Sequence, residues 1–213
     1  DINFLFWRNS DLNFKSAEDL IQSLEKKPSS KKFSKISDSL DENVLKYLVR
    51  DKKIEFSSDK IELLWECCQI PDFQKKAFTH IDVVTKVFNF LKSKKNKIPN
   101  DYMKNQLKGL DKYRGNIDMI SNKVSNVRTW SYVANKKNWV ENADYWIQMS
   151  KNIEDSLSDQ LHNELTKSFI DKRISVLSRG LKQDVKPNAD ISPENELIID
   201  GQLIGKLKGL KLN

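Results

Sequence analysis

Apolar positions recur at three- and four-residue steps along most of the chain, which predicts a succession of amphipathic helices. The first is Ala17-Glu18-Asp19-Leu20-Ile21-Gln22-Ser23-Leu24. Ser16 stands before it as an N-cap, and its acids fall in the first turn, where the positive end of the helix dipole favours them. Pro28-Ser29-Ser30-Lys31-Lys32 ends it as a loop. A second helix is predicted from Asp41 to Val49, with Val44, Leu45 and Leu48 on its apolar face. Ser57-Ser58-Asp59 is expected to cap a third, whose buried stripe is Ile61, Leu64, Trp65 and Cys68. Pro71 closes that helix or opens the next. From Phe73 onward, Ala77, Ile81, Val84, Val87, Phe88 and Leu91 predict a long buried helix.

Lys92-Ser-Lys-Lys-Asn-Lys-Ile-Pro99 holds four lysines and no carboxylate, and reads as a flexible basic connection. Beyond it Met103, Leu107 and Leu110 mark another helix. Gly115 breaks the pattern, and Asn116 is placed to cap a helix carrying Ile117, Ile120, Val124, Val127 and Ser131. Trp139 and Trp146 flank a short connector. A final long helix runs from about Tyr145 or Asp155 to Leu181, with Ile153, Leu157, Leu161, Leu165, Phe169, Ile174, Leu177 and Leu181 as its stripe. A strict four-residue step drifts around a helix, so this stripe is expected to wrap and touch more than one neighbour.

After Gly180 the period changes. Pro187–Pro193 reads as a linker. Glu196–Ile199 and Gln202–Gly205 read as a hairpin with a type I′ turn at Asp200-Gly201, and Lys206–Leu212 as a strand with one basic face. The expected fold is mainly α: a multi-helix bundle with a small C-terminal β-hairpin appendage. Its expected segments are 1–36, connecting and carrying one helix; 37–184, the bundle; and 185–213, a linker and small β module.

Composition narrows the function. The 213 residues carry 37 Lys and Arg against 30 Asp and Glu, a net charge of +7. A sequence pI near 9.2 fits a polyanion such as nucleic acid, or equally a set of solvated lysine-rich helix faces. Mean hydropathy is −0.64, and no apolar run approaches the roughly eighteen residues of a membrane span, so no membrane partner is expected. The opening Asp1–Trp7 is not expected to be a signal peptide. Without an initiator Met, the chain is expected to be a piece of a longer protein. Adjacent Cys67 and Cys68 seldom pair with each other, so reduced thiols of a cytoplasmic protein are expected. With only His80 and His162 beside them, no zinc ligand set can be assembled from the spacing.

The chemistry of the motifs is mostly negative. No G-x-x-x-x-G-K-[ST] phosphate loop can be built from Gly109, Gly115, Gly180, Gly201, Gly205 and Gly209. Asp41-Glu42 is explained by its place at a helix start rather than by magnesium binding. Ser158, Asp159 and His162 share a helix face, but such a trio without an oxyanion element reads as a surface hydrogen-bond set. No catalytic and no metal-binding residue is assigned.

Nucleic-acid contact has better support. Arg128-Thr-Trp-Ser-Tyr-Val-Ala-Asn135 joins a guanidinium for phosphate to the aromatic faces of Trp130 and Tyr132. Lys136 and Lys137 extend the charge, and Lys172 and Arg173 lie on the last helix. The candidate nucleic-acid-binding residues are therefore Arg128, Trp130, Tyr132, Lys136, Lys172 and Arg173. Lysines 92–97 and Lys206, Lys208 and Lys211 are further phosphate contacts in the same reading. The alternative places Trp130 in the core and Arg128 against Asp118, Glu154 or Asp159.

Taken together, Leu64–Phe73, Gly115–Asp118, Val127–Ala134, Leu157–His162 and Phe169–Arg173 resemble the region downstream of the motor in bacterial superfamily 2 (DExH-type) helicases, those similar to the mitochondrial degradosome RNA helicase. Asp200–Leu210 resembles the short glycine-punctuated module that follows that bundle. The resemblance implies a non-catalytic C-terminal accessory region of an ATP-dependent RNA or DNA helicase. In that family two RecA-like motor domains hold ATP and magnesium, and the helical region packs on them and helps enclose a single strand. This sequence contains neither motor domain, so the implied partners are single-stranded RNA or DNA and RecA-like motor domains of the same chain. The competing expectation is a helical scaffold that docks the motor or a nuclease and never touches nucleic acid.

Overall fold

The first helix starts where its sequence predicts. Ser16 is extended, its Oγ accepts from the Asp19 amide at 3.0 Å, and its hydroxyl donates to the Asp19 carboxylate at 2.9 Å. Asn116 does the same for a later helix, its Oδ1 accepting from the Met119 amide at 2.9 Å. Each such cap is worth about 1 kcal/mol.

The structure is a computed structural model; it describes residues 5–37, 39–50, 54–112, 115–182, 188–199, 201–208 and 211–212, with the backbone alone at 176–182, 202, 208, 211 and 212. In chain order the elements are β1 (Leu5–Trp7), α1 (Ala17–Glu25), β2 (Phe33–Lys35), α2 (Leu40–Arg50), a 3-10 turn (Ser58–Lys60), α3 (Ile61–Cys68), α4 (Ala77–Lys92), α5 (Asn100–Leu107), α6 (Ile117–Asn135), α7 (Ala143–Lys182), β3 (Ala189–Ile191), β4 (Glu196–Ile199), β5 (Gln202–Lys208) and β6 (Lys211–Leu212). The fold is mainly α, as the periodicity predicts.

Two compact units are present. The first comprises residues 1–113 and 121–157, the second residues 114–120 and 158–213. In the first unit, α2 packs on α1 and α3, and α3 on α4. Their apolar stripes meet in a core of Leu20, Leu24, Leu45, Leu48, Leu64, Val84, Val87 and Phe88. Each such side chain contributes roughly 1.5–3 kcal/mol by leaving water. Met103 and Leu107 of α5, Val127, Trp130 and Val133 of α6, and Trp146, Ile153 and Leu157 of α7 complete it.

The connector between α6 and α7 is pinned rather than loose. Asn138 and Asn142 take positive φ (65° and 53°), which asparagine tolerates better than most residues. Trp139 accepts from the Ile98 amide at 2.8 Å through its carbonyl, and the Trp146 indole donates to Asn100 at 2.9 Å.

Several sequence expectations are corrected. β1 and β2 pair in parallel, Leu5 opposite Phe33, where the sequence suggests a connecting segment with one helix. Ser57 caps no helix through its side chain; its hydroxyl donates to Asp59, and a 3-10 turn intervenes before α3. α4 buries His80, while Ala77 stays exposed and Ile81 half-buried. The basic connection after α4 is tied at both ends, by Lys92 donating to the Glu55 carbonyl at 2.8 Å and by the Ile98–Trp139 bond.

In the second unit β3, β4, β5 and β6 form one antiparallel sheet in that order. β3 thus occupies part of the expected linker. Lys206–Leu212 is not one strand, because β6 folds back on β5 with Leu207 opposite Leu212. Gly201 has the φ of +77° that a tight turn demands, while Asp200 lies outside the described residues. The stripe of α7 is buried at Ile153 and Leu157 and open further on, where Leu165, Phe169, Ile170 and Ile174 are each about half exposed. Leu177 and Leu181 lie where only the backbone is described.

His80 is 4% exposed and its Nε2 has no hydrogen-bond partner. Burial holds its pKa below the ordinary 6.5, against a smaller upward pull from Asp72. The unfolded chain therefore takes up a proton that the folded imidazole refuses. Stability should be indifferent to this group above pH 6.5 and fall as pH drops from 6.5 toward the lowered folded value, by at most about 1.4 kcal/mol per pH unit. Urea midpoints at about pH 7.5 and about pH 5.5 check this, and His80→Gln should shrink the difference between them.

Candidate nucleic-acid interface

α6 is buried at Ile120, Val124, Val127, Trp130, Val133 and Ala134. The stripe passes through Trp130 where the sequence points to Ser131, which is half-buried. Trp130 is 1% exposed; its Nε1 donates to Asn126 Oδ1 at 3.1 Å, and its ring meets the edge of Tyr102 at 5.7 Å. The expectation of Trp130 as a stacking face for bases is therefore corrected: the ring is core, held there by its apolar area and its satisfied N–H.

Arg128 takes one of its three expected partners. Its Nε donates to Glu154 of α7 at 2.8 Å, with the arginine side chain 50% exposed. A pair this open is worth no more than about 1 kcal/mol. The terminal guanidinium nitrogens have no described partner.

The end of α6 is more concentrated. Lys136 lies over Tyr132 at 5.1 Å and over Trp139 at 5.7 Å, so one ammonium is held against two rings. Beside it is a recess of about 260 Å³ lined by Lys60, Leu63, Glu66, Leu91, Asn96, Lys137, Asn138 and Trp139. Asn96 belongs to the basic turn, where Lys94 and Lys95 are exposed. Two lysines line the recess, Lys60 from the 3-10 turn before α3 and Lys137 just after α6, with Glu66 as the one acid among its lining residues.

Lys172 and Arg173 belong to the second unit. Lys172 is exposed, and the Arg173 guanidinium sits 4.2 Å from the Phe169 ring with its Nε buried and unpartnered. Lys206 is exposed on β5; the Lys208 and Lys211 side chains lie outside the described residues.

Lys60 was missed by sequence reasoning. It stands far from residue 137 in the chain, and only the fold brings the two to one recess. No local pattern carries that signal.

His162 is exposed on α7, which removes a hydrolase built on Ser158, Asp159 and His162. Cys67 and Cys68 are buried, and burial raises both thiol pKa values far above the ordinary one, so neither is a ready nucleophile. Among the described residues no group of three or more His, Cys, Asp or Glu is placed to hold a metal, and no helix is long and apolar enough to cross a membrane. Comparison of the chain with protein-family models, with curated proteins and with solved structures gives no match.

Proposed function

We propose that this chain is an accessory region that contacts single-stranded nucleic acid through its backbone, in the manner of the helical region beside a DExH-type helicase motor. ATP and magnesium would be handled by RecA-like motor domains that this sequence does not contain. The observation that carries the reading is the recess at the end of α6, where Lys60 and Lys137 meet beside the caged Lys136 and the exposed Lys94 and Lys95. Clustered lysines around a concave surface bind phosphates without reading sequence. Tyr132, half-buried under Lys136, and Arg128 extend the same helix flank.

Filter binding of single-stranded RNA and DNA across a salt series tests it. Affinity should fall steeply with salt. The triple substitution Lys60→Ala, Lys136→Ala, Lys137→Ala should lower the slope of log K against log salt by about 2, from roughly 0.7 per lost phosphate contact. Arg128→Ala should do less, because Glu154 already engages that side chain. Binding that is absent at low salt, or insensitive to salt, would sink the contact role.

A second reading keeps one observation of its own. The half-exposed Leu165, Phe169, Ile170 and Ile174 on α7 suit a protein partner, as a docking scaffold requires. Under that reading Phe169→Ser would abolish association with the partner and leave strand binding unchanged.

A further inference from the structure

Residues of α4, α5, α6 and the segment before α4 line a second, partly open pocket of about 120 Å³, near the start of α4 rather than its end. Its walls hold more hydrogen-bonding capacity than the protein uses. His80 is buried, and its imidazole makes no described hydrogen bond. Asn126 spends its oxygen on the Trp130 indole, which leaves its amide N–H groups without a described acceptor. Gln74 and Gln106 also line the pocket, and no described hydrogen bond uses their side chains. A buried polar group left in this state costs about 1–3 kcal/mol, so a native wall that carries one calls for an explanation. Val83 and Trp130 supply the apolar part of the lining.

Charge sets the class of ligand. Asp72 and Lys76 both line the pocket and oppose each other in sign. Burial keeps the imidazole neutral near pH 7. The remaining polar groups are amides and hydroxyls, which offer donors and acceptors together and no net charge. An anion would meet the Asp72 carboxylate with only Lys76 to offset it. A flat neutral group with donors and acceptors along one edge fits the set, and asparagine and glutamine amides are the side chains that pair with such edges on nucleobases. The volume matches about four waters, room for one small ring system and not for a folded peptide.

We propose that this pocket receives a single unpaired nucleobase, whose edge is read by Gln106, Asn126 and His80. The inference rests on the strand-contact reading above and deepens it: the lysine recess would hold the backbone, and this pocket would hold one base splayed out of the strand. His80 and Leu91, which mark the two sites on α4, are eleven residues apart, about 16 Å of helix. A strand of a few nucleotides spans that distance.

The test is an NMR titration of the 213-residue chain, following the Trp130 indole N–H and the His80 imidazole. Adenosine and uridine monophosphates are added at millimolar concentrations, with ribose 5-phosphate and inorganic phosphate as base-free controls. The proposal expects saturable shifts at both residues with at least one base-bearing ligand and none with the controls. Gln106→Ala, at a half-buried position with no described bond to lose, should weaken that binding roughly five- to tenfold. It should leave the salt slope for a single-stranded oligonucleotide unchanged. Equal shifts from ribose 5-phosphate or inorganic phosphate would make the pocket an anion site and overturn the proposal. Silence at both residues, with strand binding intact and salt-dependent, would overturn it while leaving the lysine recess standing. Silence together with absent strand binding would overturn both.

Discussion

Trp130→Ala should cost the protein about 3–5 kcal/mol of folding stability, the range for removing a large aromatic side chain from a packed core. The ring is 1% exposed and meets Tyr102 of α5 at 5.7 Å. The same change strands Asn126 Oδ1, which would lose its indole donor. Against a typical domain stability of about 5–15 kcal/mol, this is enough to unfold a substantial fraction of the chain under mild denaturant. Trp130→Phe separates the two contributions. It keeps most of the apolar volume and loses the hydrogen bond, and should cost about 1–2 kcal/mol. Urea unfolding followed by circular dichroism reads both. If Trp130→Ala lost strand affinity but no stability, the ring would be a binding platform after all, and the burial described here would be misplaced.

That outcome bears on how far the sequence could be read. Capping was legible because it is local: Ser16 and Asn116 each satisfy an amide three residues on, and the pattern that predicts this is contained in a few positions. The apolar faces of α2 and α3 were legible for a related reason, since periodicity encodes which side of a helix leaves water. What covers that side is not encoded. The stripe of α7 has the same spacing before and after Leu157, yet Ile153 and Leu157 are buried and Leu165, Phe169 and Ile174 are half open. Trp130 posed the same difficulty in a sharper form: the sequence allowed a stacking face or a core ring, and only the position of α5 decides. β1 and β2 are three residues each and pair across a helix, too short for alternation to register. His80 was passed over because Ala77 and Ile81 completed a plausible stripe without it. The lysine recess was legible in part: Lys136, Lys137 and lysines 92–97 stand out in the sequence, whereas Lys60 joins them only through the fold.

Arg8→Ala should destabilise the first unit by about 2–4 kcal/mol, the second largest effect expected. Arg8 follows β1 directly, and its Nη1 donates to Asp41 at 2.8 Å while Nη2 lies 3.6 Å from Glu42. Its guanidinium also rests 5.1 Å from the Trp65 ring. Glu42 is 3% exposed, and its other cation is Lys35 at 3.3 Å, on β2. The two acids in the first turn of α2 are thus held by Arg8, just after β1, and by Lys35, the last residue of β2, which ties the strand pair to α2. Removing Arg8 leaves the nearly buried Glu42 with Lys35 at 3.3 Å as its one described cation, takes the partner from Asp41 and removes the guanidinium from Trp65. Because Arg8 itself is 30% exposed, the loss should fall below that of a fully buried pair. Arg8→Met retains the aliphatic stem over Trp65 and should recover part of the stability, and the remainder is the charge. A double-mutant cycle with Glu42→Ala should show a coupling of about 1–3 kcal/mol. Additive effects within about 0.5 kcal/mol would mean that the two residues do not act together, and Arg8 would then act through Asp41 and Trp65 instead.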